Sequence, residues 1–473
     1  MDANVSGVGD VASFIQRSRR LMQEVAGAMS GLRGRSIEVQ VFPGGGLALR
    51  ERSSNNNNHN HNNNNNNNLR ERSLGSSTPT KDLEGGEGEQ FSFQEWAKTV
   101  DWNSLSHDPT ARIPEFEREI MPWLIMEPLL QGKVNEEPPA LMAVPQGCND
   151  HGQVFHGMRK MPAAMIDMFK LGYDADVVEV RLREYADIVD LVVIVEAESS
   201  HWGVPKLSMW DRLRAQSRFT PFSDKLLHLV FTWADIHGNG TSKVVRKREQ
   251  VWTTEGGENN MIRDRMPEVL RHLKVHSDSI VLNFGDADEV TSRNNMHLMK
   301  HCEPKKLPVD SGIWFPMGRV DRAFRTDWPT GGFQYTLGDP TFQSPSHFVG
   351  LGHGKSGPYL LGGMHMTDYN YLPFRVMKVL SASEAGGVPQ AWSNLLTLGN
   401  VSKLFFAFSN MEAPVFPASW RARIIPLGEL FKKSLAYKDM VYVPWFLAAN
   451  EARFPAWFGK EDPRVFSKVR RST

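Results

Sequence analysis

The sequence predicts an α/β fold with a mixed, mostly parallel sheet over residues 161–455, preceded by a disordered low-complexity region. Hydrophobic residues make up 40% of the 473 residues, which is enough for a large core. Short apolar runs alternate with helical patterns after about residue 160, as expected when helices cover a largely parallel sheet. The tract at 55–68 is almost pure asparagine, and such a tract cannot bury a core.

Three segments precede the predicted domain. Apolar residues at helical spacing predict one amphipathic helix within residues 1–30. Residues 31–90 are predicted to be a disordered, Asn-rich linker. Two copies of Leu-Arg-Glu-Arg-Ser, at 49–53 and 69–73, flank the asparagine tract and indicate a sequence expansion. Residues 91–160 are rich in Trp and Pro and are predicted to form a stem that packs on the domain.

The predicted elements of the domain alternate in type along the chain, and a C-terminal tail at 456–473 follows them. Short apolar runs predict buried strands, whereas apolar residues at a spacing of three and four predict one face of a helix. The predicted elements are a strand at Met165–Leu171, a helix at Val177–Tyr185, strands at Leu191–Val195 and Ile280–Phe284, and a helix whose apolar face carries Ile262, Met266, Val269, Leu270 and Leu273.

Charge balance, cysteine spacing and the length of apolar runs argue against a nucleic-acid-binding protein, a zinc site and a membrane-spanning helix. The 54 basic residues balance 54 acidic ones, which argues against a nucleic-acid-binding protein. Two cysteines, Cys148 and Cys302, lack the spacing of a zinc site but could form one disulfide. No run reaches the ~18 apolar residues that span a bilayer, and no signal-peptide pattern is found, so membrane association is not visible in the sequence.

An acidic loop is the main candidate for chemistry. The predicted strand at Ile280–Phe284 ends in Gly-Asp-Ala-Asp-Glu, with carboxylates at Asp286, Asp288 and Glu289. In open α/β sheets, ligands bind at the carboxyl ends of strands. Neighbouring carboxylates repel one another unless a cation lies between them, and Mg²⁺ or Mn²⁺ would also bridge a diphosphate. A solvated acidic turn is the ordinary interpretation of Asp-x-Asp alone, but the buried strand before it favours a site.

Several short blocks follow one another over residues 165–455 in the order found in glycosyltransferase family 17, and the chain resembles that family. The family includes the β-1,4-mannosyl-glycoprotein N-acetylglucosaminyltransferase that makes bisecting GlcNAc. Gly285, Ala287, Thr291 and Met364 depart from the family pattern, which leaves the acceptor open. The matching blocks are Val178–Leu182, Val189–Asp190, Val193–Glu196, Ile280–Glu289, Gly362–His365, Lys378, Val443–Pro444 and Asn450.

The resemblance implies both a fold and an activity. The fold would be a GT-A-like nucleotide-sugar-binding domain. The activity would be the inverting transfer of GlcNAc from UDP-GlcNAc to a mannose of an N-glycan or a related acceptor, assisted by Mn²⁺ or Mg²⁺. The partners would then be the nucleotide sugar and a glycan or glycoprotein acceptor. The family also implies a location in the Golgi or secretory lumen.

Candidate roles fall on nine residues. An inverting transfer needs one carboxylate to deprotonate the acceptor hydroxyl, and the sequence leaves Asp368 and Glu384 as open alternatives for this base. The predicted metal ligands are Asp286, Asp288 and His365, and the predicted nucleotide-sugar contacts are Asp167, Glu196, Lys206, Arg263 and Asp286.

Two other functions remain open at this point. One is an inactive carbohydrate-binding or scaffold homologue, against which the presence of Asp286, Asp288 and His365 argues. The other is a metal-dependent nucleotide-sugar hydrolase, which would release free sugar without an acceptor. The sequons at 239–241 and 400–402 suggest a secretory route, although such triplets also arise by chance.

Overall fold

The computed structural model divides the chain into two compact units, Met1–Glu84 and Gly85–Thr473. In the first unit, strands β1 (Ile37–Val41) and β2 (Leu47–Glu51) pair antiparallel. The predicted helix within 1–30 and the asparagine tract lie outside the described residues. The structure describes residues 37–41, 47–51, 90–107, 109–129, 133–238, 248–306, 308–324, 332–337, 358–381, 388–412, 418–429 and 439–470.

An eight-stranded mixed sheet forms the centre of the second unit, as the predicted α/β class requires. Its first four strands run parallel to one another, and the remaining strands include antiparallel pairs. In spatial order they are β7 (Leu226–Phe231), β6 (Leu191–Ala197), β5 (Ala164–Lys170), β8 (Ser279–Asp286), β14 (Gly332–Leu337), β11 (Val309–Trp314), β15 (Tyr359–His365) and β9 (Glu289–Thr291).

Three small sheets surround this central sheet. Strands β4 (Phe155–Met158) and β10 (Cys302–Pro304) pair antiparallel, as do β3 (Gln90–Phe91) and β17 (Val469–Arg470). The third sheet contains β12 (Pro316–Met317), β13 (Arg319–Phe324) and β16 (Ile424–Pro426).

Helices cover both faces of the sheet. Short 3-10 helices lie at Thr220–Lys225, Met366–Asp368, Pro455–Phe458 and Pro463–Phe466. The α-helices are α1 (Phe93–Ala97), α2 (Trp102–His107), α3 (Pro109–Leu124), α4 (Val144–Asp150), α5 (Ala175–Glu184), α6 (Met209–Leu213), α7 (Trp233–His237), α8 (Arg248–His272), α9 (Arg293–His301), α10 (Leu372–Ser381), α11 (Gln390–Thr397), α12 (Val401–Asn410), α13 (Ala418–Arg421) and α14 (Trp445–Ala449).

Burial on both faces explains why the sequence of β5 is apolar except at Asp167 and Lys170. Successive side chains of a strand point to opposite faces, so a strand covered on both faces is apolar throughout. Ile166 and Met168 join a cluster with Ile262 and Met266 of α8, whereas Phe169 joins the larger core on the other face. The predicted strands and the predicted apolar face of α8 are therefore confirmed.

The Trp-rich segment belongs to the core of the second unit. Trp96, Trp102 and Trp123 are almost fully buried, and Trp96 contacts both of the other rings, at centroid distances of 6.0 and 5.4 Å. Aromatic side chains of this size bury large apolar areas and prefer such tilted or edge-on contacts. The C-terminal strand β17 pairs with β3 beside them, so residues before and after the central sheet complete one core.

Cys148 of α4 and Cys302 of β10 form a disulfide, with their Cα atoms 5.7 Å apart. The bond closes a loop between residues separated by 154 positions. It therefore joins the segment before β4 to the segment that follows α9. In the part of the chain that the structure describes, no helix is both long enough and apolar enough to cross a bilayer.

Candidate active site

The acidic loop lies where the direction of strand order changes. The chain passes from β5 to β6 on one side, whereas β8 lies on the other side of β5 and runs parallel to it. Such a switch point opens a crevice at the carboxyl ends of the two strands. The loop after β8 closes over the end of β5, because the backbone N–H of Ala287 donates to the carbonyl of Lys170 at 3.1 Å.

The buried side chain of Arg181 on α5 binds the backbone of the acidic loop. Its Nη1 donates to the carbonyl oxygens of Asp286, Ala287 and Glu289 at 2.8, 3.2 and 2.9 Å. Its Nε and Nη2 donate to the two carboxylate oxygens of Asp167 at 2.8 and 2.7 Å. Burial alone would lower the pKa of Arg181, but the Asp167 carboxylate outweighs burial and raises it. The guanidinium therefore stays charged and fixes the loop through its backbone.

Asp167, a predicted nucleotide-sugar contact, is 1% exposed in the middle of β5. Besides Arg181, the Nδ2 of Asn283 on the neighbouring strand donates to its carboxylate at 2.7 Å. A buried carboxylate held by two partners in this way is typical of an anchoring group. In this structure, Asp167 acts on the loop through Arg181.

Gly285 leaves room for the side chain of Glu289. A Cβ atom at Gly285 would lie 2.5 Å from Glu289 Oε2. The same oxygen accepts a hydrogen bond from the backbone N–H of Asp286 at 3.1 Å. Any larger residue at position 285 would displace Glu289 and remove this closure of the turn.

Asp286 forms an ion pair with a lysine at the end of β5. Lys170 Nζ lies 3.0 Å from Asp286 Oδ1 and 3.5 Å from Glu255 Oε1 of α8. Burial alone would lower the pKa of Lys170, but Asp286 and Glu255 raise it well above its usual value. The lysine is therefore a permanent positive charge, whereas the Asp286 side chain is 40% exposed to solvent.

Asp288 lies between a lysine and a histidine. Lys378 Nζ of α10 donates to Asp288 Oδ2 at 2.6 Å, and His365 Nε2 lies 3.5 Å from Asp288 Oδ1. Antiparallel pairing of β9 with β15 sets His365 opposite Glu289, and the N–H of Met366 donates to the Asp288 carbonyl at 2.6 Å. Burial would raise the pKa of Asp288, but the two cations hold it well below its usual range.

Gly363 allows β15 to approach the acidic loop. Its φ is +156°, which places it at the edge of the region that L side chains rarely adopt. A Cβ there would lie 2.3 Å from Ile313 Cγ2 and 2.7 Å from the Val290 carbonyl. Gly362 also has a positive φ, of +127°. These glycines let the strand pass close to β9 and deliver His365 to Asp288.

Asp174 is a further buried carboxylate in the loop between β5 and α5. It is 7% exposed, and its Oδ1 is buried without a hydrogen-bond partner. Burial raises its pKa to about 6; Lys378 opposes the shift, whereas the charges of Asp288 and Asp286 add to it. The charges of the acidic loop therefore act on Asp174, to which the sequence pattern assigned no role.

Glu196 and Lys206, two predicted nucleotide-sugar contacts, bind each other. Lys206 Nζ lies 2.9 Å from Glu196 Oε1. Burial alone would raise the pKa of Glu196, but Lys206 and the hydrogen bonds lower it to about 2. The partners of the carboxylate, all at 2.8–3.0 Å, are Lys206 Nζ, Ser208 Oγ, the backbone N–H groups of Met209 and Trp210, and His228 Nε2.

Of the three remaining predicted site residues, Arg263 is fully described, Asp368 is described only in its backbone, and Glu384 is not described. Arg263 lies on α8, where its guanidinium contacts Asn260 one turn earlier. Asp368 ends the 3-10 helix Met366–Asp368, three residues after His365. The side chain of Asp368 and the whole of Glu384 lie outside what the structure describes.

Of the three predicted metal ligands, Asp288 and His365 lie beside each other, whereas Asp286 is paired with Lys170. Among the described residues, no group of three or more His, Cys, Asp or Glu side chains is arranged to hold a metal ion. Asp286 is turned to Lys170, whereas Asp288 Oδ1 is buried without a hydrogen-bond partner and faces His365. Asp288 and His365 could therefore hold a divalent cation only if a bound ligand, such as a diphosphate, and water supplied the remaining ligands.

Lys170, Lys378 and Asp174 are the site residues that sequence reasoning did not assign. Lys170 is the next-to-last residue of the predicted strand Met165–Leu171, and its position near the carboxyl end of that strand was the signal in the sequence that could have identified it. Lys378 was part of the family pattern but received no role. Asp174 follows Gly172 at the start of a helix, where an acidic residue is usually a cap.

The described fold is α/β, and its acidic loop lies at a topological switch point of the central sheet. The model of Glycosyltransferase family 17 matches residues 138–310, so the resemblance predicted from the sequence is confirmed. Residues 138–310 are therefore similar to this family of glycosyltransferases, and the protein is a transferase. The matched segment includes the acidic loop and Lys170 and ends before His365. A search of curated proteins finds no match to the chain.

Proposed function

We propose that the protein is an inverting glycosyltransferase that moves GlcNAc from UDP-GlcNAc to a mannose of an N-glycan or a related acceptor. One observation carries the proposal: the acidic loop of a family 17 domain lies at the switch point, with Asp288 between Lys378 and His365. This arrangement is suited to a ligand that carries a diphosphate. The donor and the acceptor come from the family resemblance.

A GT-A-like architecture is the fold that we propose for this domain. Four parallel strands in the order β7-β6-β5-β8 support it, because the acidic loop then follows the strand beyond the switch point. The antiparallel strand β14 and the returning strand β15 continue the same sheet. His365 thereby reaches the loop from a strand that lies 76 positions later in the chain than Glu289, its cross-strand neighbour.

Asp288 and His365 would hold a divalent cation, Mn²⁺ or Mg²⁺, together with the diphosphate of the donor. When bound, this ion stabilises the charge that develops on the departing diphosphate. Asp288 is suited to the role because its pKa is held low and its Oδ1 lacks a hydrogen-bond partner in the described residues. Asp286, which is paired with Lys170, is better placed to accept hydrogen bonds from the ribose or the sugar.

Lys170 and Lys378 would neutralise the charge around the donor. Each lysine is paired with one aspartate of the loop and is partly exposed, by 15% and 24% of its side chain. Two carboxylates and a diphosphate in one crevice repel one another unless positive charge balances them. Positive groups fixed in place before the reaction stabilise developing negative charge without the cost of reorganisation.

A carboxylate must accept the proton of the acceptor hydroxyl as the new glycosidic bond forms. Asp368 and Glu384 remain the two proposed bases. Asp368 follows the strand that carries His365, which supports its placement near the site. Replacement of each by its amide, Asp368→Asn and Glu384→Gln, distinguishes them, since the variant of the true base would retain donor binding and lose transfer.

We also propose that the protein works in an oxidising compartment such as the secretory lumen or Golgi. The disulfide between Cys148 and Cys302 supports this location, because disulfides persist in oxidising compartments and are rare in reducing ones. The family resemblance points the same way.

Purified protein supplied with UDP-GlcNAc, Mn²⁺ and a panel of N-glycan acceptors tests the proposal, with UDP release and product mass recorded together. We expect a product heavier by one GlcNAc, and kcat lower by on the order of 10²-fold or more in Asp288→Ala. Full activity of that variant, or full activity with a chelator present, would contradict metal assistance.

The same assay separates the alternative functions. UDP release without a glycosylated product would indicate a nucleotide-sugar hydrolase. Glycan binding without UDP release, for every sugar nucleotide tried, would indicate an inactive carbohydrate-binding or scaffold homologue. The pairing of Asp288 with Lys378 and His365 favours an active enzyme over the inactive homologue, whereas the product assay separates the transferase from the hydrolase.

A further inference from the structure

The turn between α11 and α12 contains Asn400, whose side chain does not cap the helix that follows. Asn400 precedes the first residue of α12, at the position where Asn commonly caps a helix, yet its side chain makes no capping hydrogen bond. Asn400 is exposed, and its backbone is held on both sides. Its N–H donates to the Leu395 carbonyl at 2.8 Å, and its carbonyl accepts from the N–H of Leu404 at 3.0 Å.

Asn400 begins the triplet Asn400-Val401-Ser402, which has the pattern of an N-glycosylation acceptor. Val401 is 1% exposed and anchors the start of α12 in the core. The exposed amide of Asn400 thus projects from a fixed backbone. A bulky polar substituent at this position would extend into solvent without displacing any contact of the described fold.

An exposed apolar residue, Leu398, lies near Asn400 in the sequence and could be shielded by a glycan attached there. Leu398, two residues before Asn400, is 70% exposed, the highest fraction among the large exposed hydrophobic residues of the described chain. Isolated exposed apolar residues are ordinary, but a sugar ring has apolar faces that can shield one. The disulfide between Cys148 and Cys302 adds an independent observation, because it indicates an oxidising compartment, where glycans are also attached.

We propose that Asn400 is an N-glycosylation site of this protein. In the reaction, Asn400 Nδ2 forms a bond to C1 of an oligosaccharide carried on a lipid diphosphate. The bond from C1 to the diphosphate oxygen breaks, the lipid diphosphate leaves with that electron pair, and the amide loses one proton. An oligosaccharyltransferase of the secretory pathway would catalyse this transfer, with the lipid-linked oligosaccharide as its donor substrate. The proposal does not depend on the protein's own transferase activity.

The full chain, secreted from a eukaryotic host behind a cleavable signal peptide, tests the proposal. Peptide mass spectrometry before and after treatment with peptide N-glycosidase should find a glycan on Asn400, and the enzyme should increase the mobility of the protein. Asn400→Gln and Ser402→Ala should lose this glycan, whereas Ser402→Thr should keep it, because threonine retains the hydroxyl of the triplet.

Two further triplets of this pattern, at 4–6 and 239–241, require a control. Ser6→Ala with Thr241→Ala removes both, so any glycan that persists in this double variant and disappears when Asn400→Gln is added lies on Asn400. An unmodified Asn400 peptide in folded, secreted protein would overturn the proposal, whether or not the other two triplets are modified. UDP-GlcNAc turnover, measured on the same samples, tests the proposed function separately.

Discussion

Arg181 Nη1 lies 2.8 Å from the carbonyl oxygen of Asp286 and donates a hydrogen bond to it. A buried guanidinium therefore holds the acidic loop by its backbone carbonyls and does not itself bind the loop's carboxylates. Asp167 completes the arrangement, since it binds the other two nitrogens of Arg181. The geometry of the site thus depends on an ion pair beneath it.

We predict that Arg181→Lys loosens the acidic loop. A single ammonium cannot bond both oxygens of Asp167 and three carbonyls, whereas the planar guanidinium does so. We expect the free energy of unfolding to fall by about 3 kcal/mol, as for other damaged buried ion pairs. UDP affinity should also fall. Urea unfolding and calorimetric titration with UDP measure the two effects.

Arg453→Lys is the matched control for this variant. Arg453 is buried and binds both oxygens of Glu179, also on α5, but no contact of the described structure joins it to the acidic loop. Its replacement should lower stability and leave UDP affinity unchanged under conditions where the protein is folded. Equal loss of UDP affinity in both variants would contradict a specific role for Arg181.

Sequence patterns predicted the parts of the fold that depend on local periodicity. Met165–Leu171 and Ile280–Phe284 are strands, and Ile262 and Met266 face the core, because apolar runs and helical spacing reflect burial directly. The acidic loop lies at a strand end for the same reason. His365 was assigned near Asp288 through the family pattern, and the pairing of β9 with β15 brings the two together.

The ion-pair and hydrogen-bond partners of charged residues could not be predicted from local periodicity. Lys170 meets Asp286 across 116 positions, and Lys378 meets Asp288 across 90, distances over which no periodic pattern exists. Glu196 was assigned to the nucleotide, but the turn after β6 brings Lys206 and two backbone N–H groups to its carboxylate. Tertiary contacts therefore determine whether a charged side chain is paired within the protein or can bind a ligand.

We predict that Lys378→Met weakens donor binding. The variant removes the positive charge 2.6 Å from Asp288 Oδ2 and leaves His365 as the remaining partner of this buried carboxylate, which would lie beside the diphosphate of the proposed donor. Loss of one charge-assisted hydrogen bond corresponds to about tenfold or more in affinity. The KM for UDP-GlcNAc and the Kd for UDP should both rise by that factor.

Lys300→Met provides the comparison, because Lys300 forms a similar ion pair with Asp190 at 2.9 Å, outside the residues of the proposed site. That variant should lose stability and keep its KM for the donor. An unchanged Kd for UDP in Lys378→Met would show that this lysine serves the fold alone.

We predict that removal of the disulfide destabilises the second compact unit. Replacement of both cysteines by serine, or reduction, frees a loop between residues separated by 154 positions. Closing a loop of this length stabilises a protein by about 2–5 kcal/mol, chiefly because it restricts the unfolded chain. Urea unfolding with and without a reducing agent measures the difference. The Ser variant should be insensitive to the reductant, and a parent protein equally insensitive would contradict the predicted contribution.

We predict that Asp174→Asn raises the stability of the protein at neutral pH. Asp174 has a folded pKa of about 6, raised chiefly by burial from its ordinary value of 3.8. A carboxyl group whose pKa is raised on folding favours the folded state less as the pH rises through this window. Its ionised form therefore destabilises the protein increasingly between pH 3.8 and about 6, and by a constant amount above that.

The neutral amide introduced by Asp174→Asn would avoid this cost, so the gain should reach roughly 3 kcal/mol at about pH 7.5, at about 1.36 kcal/mol per pKa unit, and should be smaller at about pH 5. Urea unfolding across this pH range measures the gain in the free energy of unfolding.

Asp187→Asn is the control and should lower the free energy of unfolding, because the ion pair with Arg293 holds the pKa of Asp187 below its usual value against the effect of burial. Lower stability of Asp174→Asn at neutral pH would contradict the buried-charge account. A variant that is more stable but has lost transfer activity would show that Asp174 is kept for the reaction at the expense of stability.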